Sequence, residues 1–289
     1  MTPRVTAPAV RARKGSGEPL VMVTAYDAPG ARIADAAGVD MILVGDSLAM
    51  VVLGYDDTLS VTVADMAHHT AAVARTQPRA MVITDLPWMS YHLGVDDTLR
   101  NAAQLIRAGA QAVKLEGGHK RLPVVDALLS AEIPVMGHLG LTPQSVHVMG
   151  GFKVQGKGAD AVRTLVADAH ALAAAGCFAI VLEGVPDTVA ALITEEVPVP
   201  TIGIGAGPAC DGQVLVFHDV LGLEDRVLPK FVRRYASLKA EAVEALEAYA
   251  RDVRGHLFPT SEESYHLSPE VARQLQPPAE AVVGLYGAG

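Results

Sequence analysis

The sequence predicts a single-domain (β/α)8 barrel, and three observations carry that expectation. Short runs rich in Val, Ile and Leu alternate with Ala-rich amphipathic stretches along most of the 289 residues. Several of the Ala-rich stretches close in Ala-Gly, at Gly38, Gly109 and Gly176, where Gly suits the left-handed position that ends a helix. Half the residues are apolar while aromatics make up only 4%. That mixture suits parallel strands buried on both faces by helices built from small residues. Strict alternation of strand and helix over this length requires a parallel sheet.

The elements follow in order. Residues 1–19 mix Pro, Gly and basic side chains and read as a loose arm with room for one helical turn. Strands are expected at 20–26, 41–46, 79–86, 112–116, 134–139, 179–183 and 201–205. Each is a short apolar run bounded by Gly, Pro or polar residues, as buried strands are. Helices are expected between them at 28–37, 62–76, 96–108, 120–131, 159–175 and 186–196. The eighth strand is ambiguous. Residues 211–221 (DGQVLVFHDVL) suit a strand, or Asp211 caps a short helix and 228–235 (LPKFVRRY) supplies the strand; the second reading closes the alternation more neatly. An Ala/Glu-rich helix at 239–254 completes a barrel domain spanning 20–258. From 259 to 289 the composition turns to Ser, Glu, Pro and Gly, a tail expected to be mobile beyond 267.

Composition also excludes several functions. A net charge of −9 and an isoelectric point near 5.5 argue against an electrostatic nucleic-acid binder. No apolar run approaches the ~18 residues of a membrane span. Cys177 and Cys210 have neither metal-site nor disulfide-framework spacing. With no signal-type apolar segment at the start, the expected compartment is the cytoplasm, and no membrane partner is expected.

Active sites of this fold lie at the C-terminal ends of the strands, so the residues that end the apolar runs matter most. They are Thr24 and Asp27, Asp46 and Ser47, Asp85, Lys114 and Glu116, His138, and Glu183. Taken singly, Asp46 is as well explained as a helix cap, Lys114 as half of a structural ion pair, and His138 as a satisfied core histidine. Taken together they describe a rim. Asp46, Asp85 and Glu116 end three successive strands, and neighbouring strands lie about 5 Å apart. Three anions so close repel one another unless a cation intervenes, and an all-oxygen set with no Cys favours Mg²⁺. Lys114, two residues before Glu116, projects to the same face and suits an anionic substrate head such as a 2-oxo acid. Glu183 is the candidate catalytic base. The glycines of 203–207 (GIGAG) have the look of a phosphate loop, but close backbone packing explains them equally well.

Longer motifs point to a family. TAYD (24–27), LVGDSLAMVVLGYDDTLSVT (43–62), KLEGG (114–118), GHLGLTPQSV (137–146), GGFKVQGK (150–157) and IGIGAG (202–207) resemble the ketopantoate hydroxymethyltransferase family, within the phosphoenolpyruvate mutase/isocitrate lyase-like barrels. The likeness runs from about Leu20 to His266. It implies a cytoplasmic enzyme of pantothenate biosynthesis that moves a hydroxymethyl group from 5,10-methylenetetrahydrofolate to 3-methyl-2-oxobutanoate. It implies one Mg²⁺ per subunit at Asp46 and Asp85, with Glu116 acting through water. Asp46, Ser47, Asp85, Lys114 and His138 would hold the oxo acid, Glu183 would accept the proton, and the subunits would form a homo-oligomer, commonly a decamer. Ala49 stands where the family often has Gly, and EGVP (183–186) where others have ECVP; neither touches a charged group. A lyase of the same superfamily would need a Cys loop such as KKCGH, which this sequence lacks. A catalytically silent barrel would have no need of so many charged strand ends.

Overall fold

In the computed structural model, residues 3–275 are described. After a short helix α1 (Ala7–Arg11) come eight strands: β1 (Leu20–Thr24), β2 (Met41–Val44), β3 (Met81–Asp85), β4 (Ala112–Glu116), β5 (Val135–Gly140), β6 (Ala179–Glu183), β7 (Thr201–Ile204) and β8 (Gly212–Leu215). They close a barrel in sequence order, β8 returning to β1, with every pairing parallel. The helices between are α2 (Ala28–Ala36), α3 (Leu48–Val51), α4 (Val63–Ala74), α5 (Val95–Arg107), α6 (Leu122–Ser130), α7 (Val146–Met149), α8 (Ala159–Ala175), α9 (Asp187–Glu196) and α10 (Phe217–Leu221). Helix α4 shows the local logic: Thr62 and Asp65 cap each other's backbone N–H groups at its start, a reciprocal bond that satisfies two otherwise orphaned donors.

Alternation along each strand divides the core in two. One set of side chains, including Ile42, Val82, Val113, Leu115, Leu139, Ile180 and Leu182, packs outward under the helices. The other set, including Met41, Leu43, Met81, Ile83, Ala112, Met136, Ala179 and Val181, fills the barrel interior. Successive residues of a strand face opposite ways, so Asp85 follows Ile83 on the inner stripe, Lys114 and Glu116 follow Ala112, His138 follows Met136, and Glu183 follows Val181. On β3 to β6 the inner stripe thus starts apolar and ends charged. That gradient places the chemistry at one end of the barrel.

The arm is tied to the opposite end. Val5 N–H donates to the Arg79 carbonyl just before β3. Ala7 and Val10 of α1 join the interior cluster, Val10 with no exposed surface. Lys14 pairs with Asp211 at 2.9 Å, and Asp211 in turn accepts from Thr201 N–H at 2.9 Å.

The eighth strand corrects the sequence reading. It is Gly212–Leu215, and α10 follows after Val216, so both halves of 211–221 are used; 228–235 forms no strand. A Cβ on Gly212 would lie 2.5 Å from the Leu20 carbonyl oxygen, so only glycine admits the approach to β1 that closes the barrel. An element of four residues is too short for apolar periodicity to separate from the helix behind it.

By contacts the chain divides into two compact units, before and after Leu238, whereas the sequence reading carried the barrel domain to 258. The second unit opens with α11 (Leu238–Arg254), which has no buried residue. It includes α12 (Pro269–Gln274), capped by Ser268, in the stretch read as a mobile tail; most of that tail, 276–289, lies outside the described residues. Among those described, no helix is long and apolar enough to cross a membrane.

Candidate active site

Asp46, Ser47, Asp85, Lys114, Glu116, His138 and Glu183 all line one cavity of about 910 Å³ at the C-terminal end of the barrel. The expected residues are therefore brought together. Two other strand ends have structural roles: Asp27 caps α2 by accepting from Gly30 N–H at 2.7 Å, and the Thr24 hydroxyl accepts from Phe217 N–H at 2.9 Å.

The polar floor is almost wholly shielded, with Lys114 and Glu116 each 5% exposed and His138 2%. Its charges form a chain. Lys114 Nζ lies 2.8 Å from Asp85 Oδ1 and 3.3 Å from His138 Nδ1. His138 Nδ1 is also 3.5 Å from Glu116 Oε1, and its Nε2 is 3.3 Å from Glu183 Oε2. Burial and the Lys114 charge push the imidazole pKa down, but Glu116 and Glu183 outweigh them and lift it to about 9. Burial would likewise lower the Lys114 ammonium, yet Asp85, Glu116 and Asp46 around it hold it above its usual value. The surrounding carboxylates thus favour the charged form of each group, while the two oppose one another across the 3.3 Å between Lys114 Nζ and His138 Nδ1.

Asp46 is the group under electrostatic tension. Burial, then Asp85, then Glu116 raise its carboxyl well above the usual carboxylate range, opposed by Lys114 and by the Gln144 amide. It does not cap α3, whose N-cap is Ser47 and makes no side-chain capping bond. Ser47 Oγ instead pairs with Tyr26 Oη at 2.9 Å. The backbone N–H of Asp46 donates to Asp85 Oδ2 at 3.0 Å, holding the two carboxylates side by side. Hard oxygens with too little positive charge among them are a donor set that fits Mg²⁺. Among the described residues no group of three Asp, Glu, His or Cys side chains is close enough to hold an ion unaided. An ion at Asp46 and Asp85 would take its other oxygens from substrate and water, as Mg²⁺ commonly does.

Gln144 was not anticipated, and it organises the floor. Its Nε2 donates to Asp46 Oδ2 at 2.8 Å and to the Leu86 carbonyl at 3.0 Å. Its Oε1 accepts from Tyr91 Oη at 2.6 Å, and its own N–H donates to Glu116 Oε2 at 3.0 Å. Tyr91 Oη accepts in turn from Glu116 N–H at 3.2 Å. One amide thus ties together the ends of β2, β3 and β4. Gln144 stands within GHLGLTPQSV, but nothing about a lone glutamine signals that the loop after β5 turns back over its neighbours. Gln144→Leu strands buried partners on Asp46 and Tyr91, each such loss costing about 1–3 kcal/mol. It is expected to lower kcat/KM about tenfold to a hundredfold, since displacing catalytic groups by about 1 Å costs that much; unchanged kinetics would contradict the clamp.

The glycine positions prove to be packing devices. Gly205 has φ 62°, and a Cβ there would sit 2.6 Å from the Phe231 ring, so the GIGAG loop keeps Phe231 against bare backbone. At Gly140, φ is 93° and a Cβ would lie 2.2 Å from the Glu183 carbonyl oxygen. Gly140→Ala is therefore expected to lower stability by at least the ~1–3 kcal/mol of a strained backbone position. The clash also displaces the end of β6 that carries Glu183. A denaturation midpoint within error of the parent would refute this.

Comparison with known proteins gives the family. The family profile described as ketopantoate hydroxymethyltransferase matches residues 4–261. The chain belongs to the ketopantoate hydroxymethyltransferase family. Curated members are close throughout. The 3-methyl-2-oxobutanoate hydroxymethyltransferase of Syntrophobacter fumaroxidans is 57% identical over 276 residues, covering 95% of this chain and 98% of that one. The protein of the same name from Moorella thermoacetica is 57% identical over 263 residues, covering 91% and 98%. The chain is thus a hydroxymethyltransferase, as its motifs led one to expect. Solved structures extend the fold further than the family. A phosphonopyruvate hydrolase in complex with oxalate and Mg²⁺ aligns with a TM-score of 0.58 at 16% identity, over 97% of this chain and 98% of its own. A 2,3-dimethylmalate lyase aligns with 0.57 at 19%, over 94% and 95%. At these identities the likeness is one of fold.

Proposed function

We propose that the enzyme transfers a hydroxymethyl group from 5,10-methylenetetrahydrofolate to 3-methyl-2-oxobutanoate, yielding 2-dehydropantoate and tetrahydrofolate. The observation that carries this reading is the continuous chain Asp85–Lys114–His138–Glu183, which sets a cation for an acid substrate beside a carboxylate base in one cavity.

The residues divide the work. Lys114, with Ser47, receives the substrate carboxylate and keto group, and its ammonium stabilises negative charge as it develops on the keto oxygen. Mg²⁺ at Asp46 and Asp85, with Glu116 acting through water, would polarise that same oxygen and acidify the neighbouring C3–H bond. Glu183 takes the C3 proton on a carboxylate oxygen. The C–H electron pair moves into the C2–C3 bond, giving the enolate. His138, whose Nε2 lies 3.3 Å from Glu183 Oε2, is placed to steady the Glu183 carboxylate. Water adds to the donor's methylene carbon and supplies the hydroxyl oxygen, and both C–N bonds that tie that carbon to the folate break, with a proton going to each nitrogen. The enolate carbon bonds to the released formaldehyde-level carbon, whose alkoxide takes up the proton held by Glu183. The product is a pantothenate precursor, and on this reading the enzyme works in the cytoplasm as a homo-oligomer.

Incubating the enzyme with Mg²⁺ and 3-methyl-2-oxobutanoate in D₂O, without folate, separates the first half of the reaction. Deuterium is expected at C3. If the protein makes 2-dehydropantoate yet never exchanges C3, the enolate route is wrong.

A further inference from the structure

Behind Ser47 lies a row of buried hydroxyls. In the TAYD motif (24–27) Thr24 and Asp27 have the structural tasks given above. Tyr26 is 3% exposed and is not among the residues lining the cavity, whereas Ser47 is. Tyr26 Oη lies 2.9 Å from Ser47 Oγ, and a second hydrogen bond joins the phenol to the Thr24 hydroxyl. Thr24 Oγ1 already accepts from Phe217 N–H at 2.9 Å. A backbone N–H thus opens a row of three hydroxyls that ends at the cavity. The middle of the row is held firmly. The Tyr26 carbonyl accepts from His69 Nδ1 at 2.6 Å, and the Tyr26 ring packs on His218 with centroids 5.6 Å apart.

Each hydroxyl has one proton to donate, so the row has a direction. Thr24 receives the Phe217 N–H and passes its own proton to Tyr26 Oη, and Tyr26 passes its proton to Ser47 Oγ. Run the other way, Thr24 would accept twice while its own proton had no partner among the described residues, a state buried polar groups rarely hold. Ser47 makes no capping bond. With its oxygen already accepting from Tyr26, its O–H is left to give to the cavity. Burial holds the phenol well above its usual pKa, so it keeps the proton it donates. We propose that Tyr26 is a positioning residue, which turns the Ser47 hydroxyl proton toward the oxo acid. The assignment rests on the task given to Ser47 in the reaction proposed above. A donor aimed before the substrate arrives needs no ordering on binding, and each hydroxyl in the row polarises the next. Without the phenol, Ser47 rotates freely and its proton faces the substrate for only part of the time.

Tyr26→Phe removes one oxygen and keeps the ring. Its effect is read by the calorimetric Kd for 3-methyl-2-oxobutanoate in the presence of Mg²⁺ and by steady-state kinetics. Kd and KM for the oxo acid are expected to rise about two- to tenfold, the range of one hydrogen bond. Turnover and the KM for the folate should stay within about twofold of the parent, because the phenol bears on neither except through Ser47. Ser47→Ala should raise the same two constants, and the double variant should match Ser47→Ala alone, as for two residues that act as one unit. Additive losses in the double variant overturn the proposal, as does a Tyr26→Phe enzyme with the parent's Kd. A Tyr26→Phe protein that does not fold, or that loses turnover, folate KM and denaturation midpoint together, also overturns it, since the phenol then serves the core. A parent enzyme that neither binds the oxo acid nor exchanges its C3 proton overturns the reaction itself, and this role with it.

Discussion

Glu183→Gln is expected to lower turnover by ~10²–10⁴-fold, the usual cost of removing a positioned general base. The glutamine keeps the size of the side chain and can still meet His138 Nε2, which lies 3.3 Å from Glu183 Oε2, but it cannot take a proton. Binding of Mg²⁺ and oxo acid should persist, because Asp46, Asp85 and Lys114 are untouched. The loss should appear to the same degree in C3 exchange without folate. Exchange at the parent rate alongside collapsed product formation would move Glu183 to the folate half of the reaction. His138 would then be the next base to examine, although Glu116 and Glu183 beside it favour its protonated form.

Asp46→Ala and Asp85→Ala are each expected to abolish metal-dependent turnover while leaving a folded protein. The two substitutions differ in what they leave behind. Asp46 is buried beside Asp85 and Glu116, which raise its pKa, so its removal relieves repulsion. Asp85 is the partner of Lys114 at 2.8 Å, so its loss leaves a buried ammonium less well compensated. Breaking a buried pair from one side typically costs ~3–5 kcal/mol, and Asp85→Ala should therefore unfold at lower denaturant than Asp46→Ala. Mg²⁺ titration by calorimetry, with turnover in excess EDTA, checks the metal reading. Full activity in EDTA would sink it.

What the sequence revealed of this site follows from how the residues are arranged along the chain. Asp85, Lys114, Glu116, His138 and Glu183 each close an apolar run, so a strand's period of two was enough to place them on one inner face. Asp46 was found for the same reason, though it lies two residues past the end of β2 and points inward through the turn at Gly45. Gln144 escaped notice because its importance lies in a loop that folds back over three other strands, a tertiary fact with no periodic trace. The eighth strand was misread because its four residues adjoin a helix with one residue between. The GIGAG glycines were open to two readings, and the position of Phe231 shows that Gly205 among them makes room for a ring.

The barrel's lower end is occupied by α1, with Ala7 and Val10 packed into the interior cluster, so the cavity has its entrance at the catalytic end. Phe152 and Phe231 line the same cavity as Lys114 and His138. A bulky second reactant standing in that entrance shuts the first one in. On the reaction proposed above, this layout predicts ordered kinetics: the small acid binds before the folate, and the enlarged acid departs after the spent folate has gone. On that order, folate in excess is expected to inhibit, which initial rates at rising folate concentration would show.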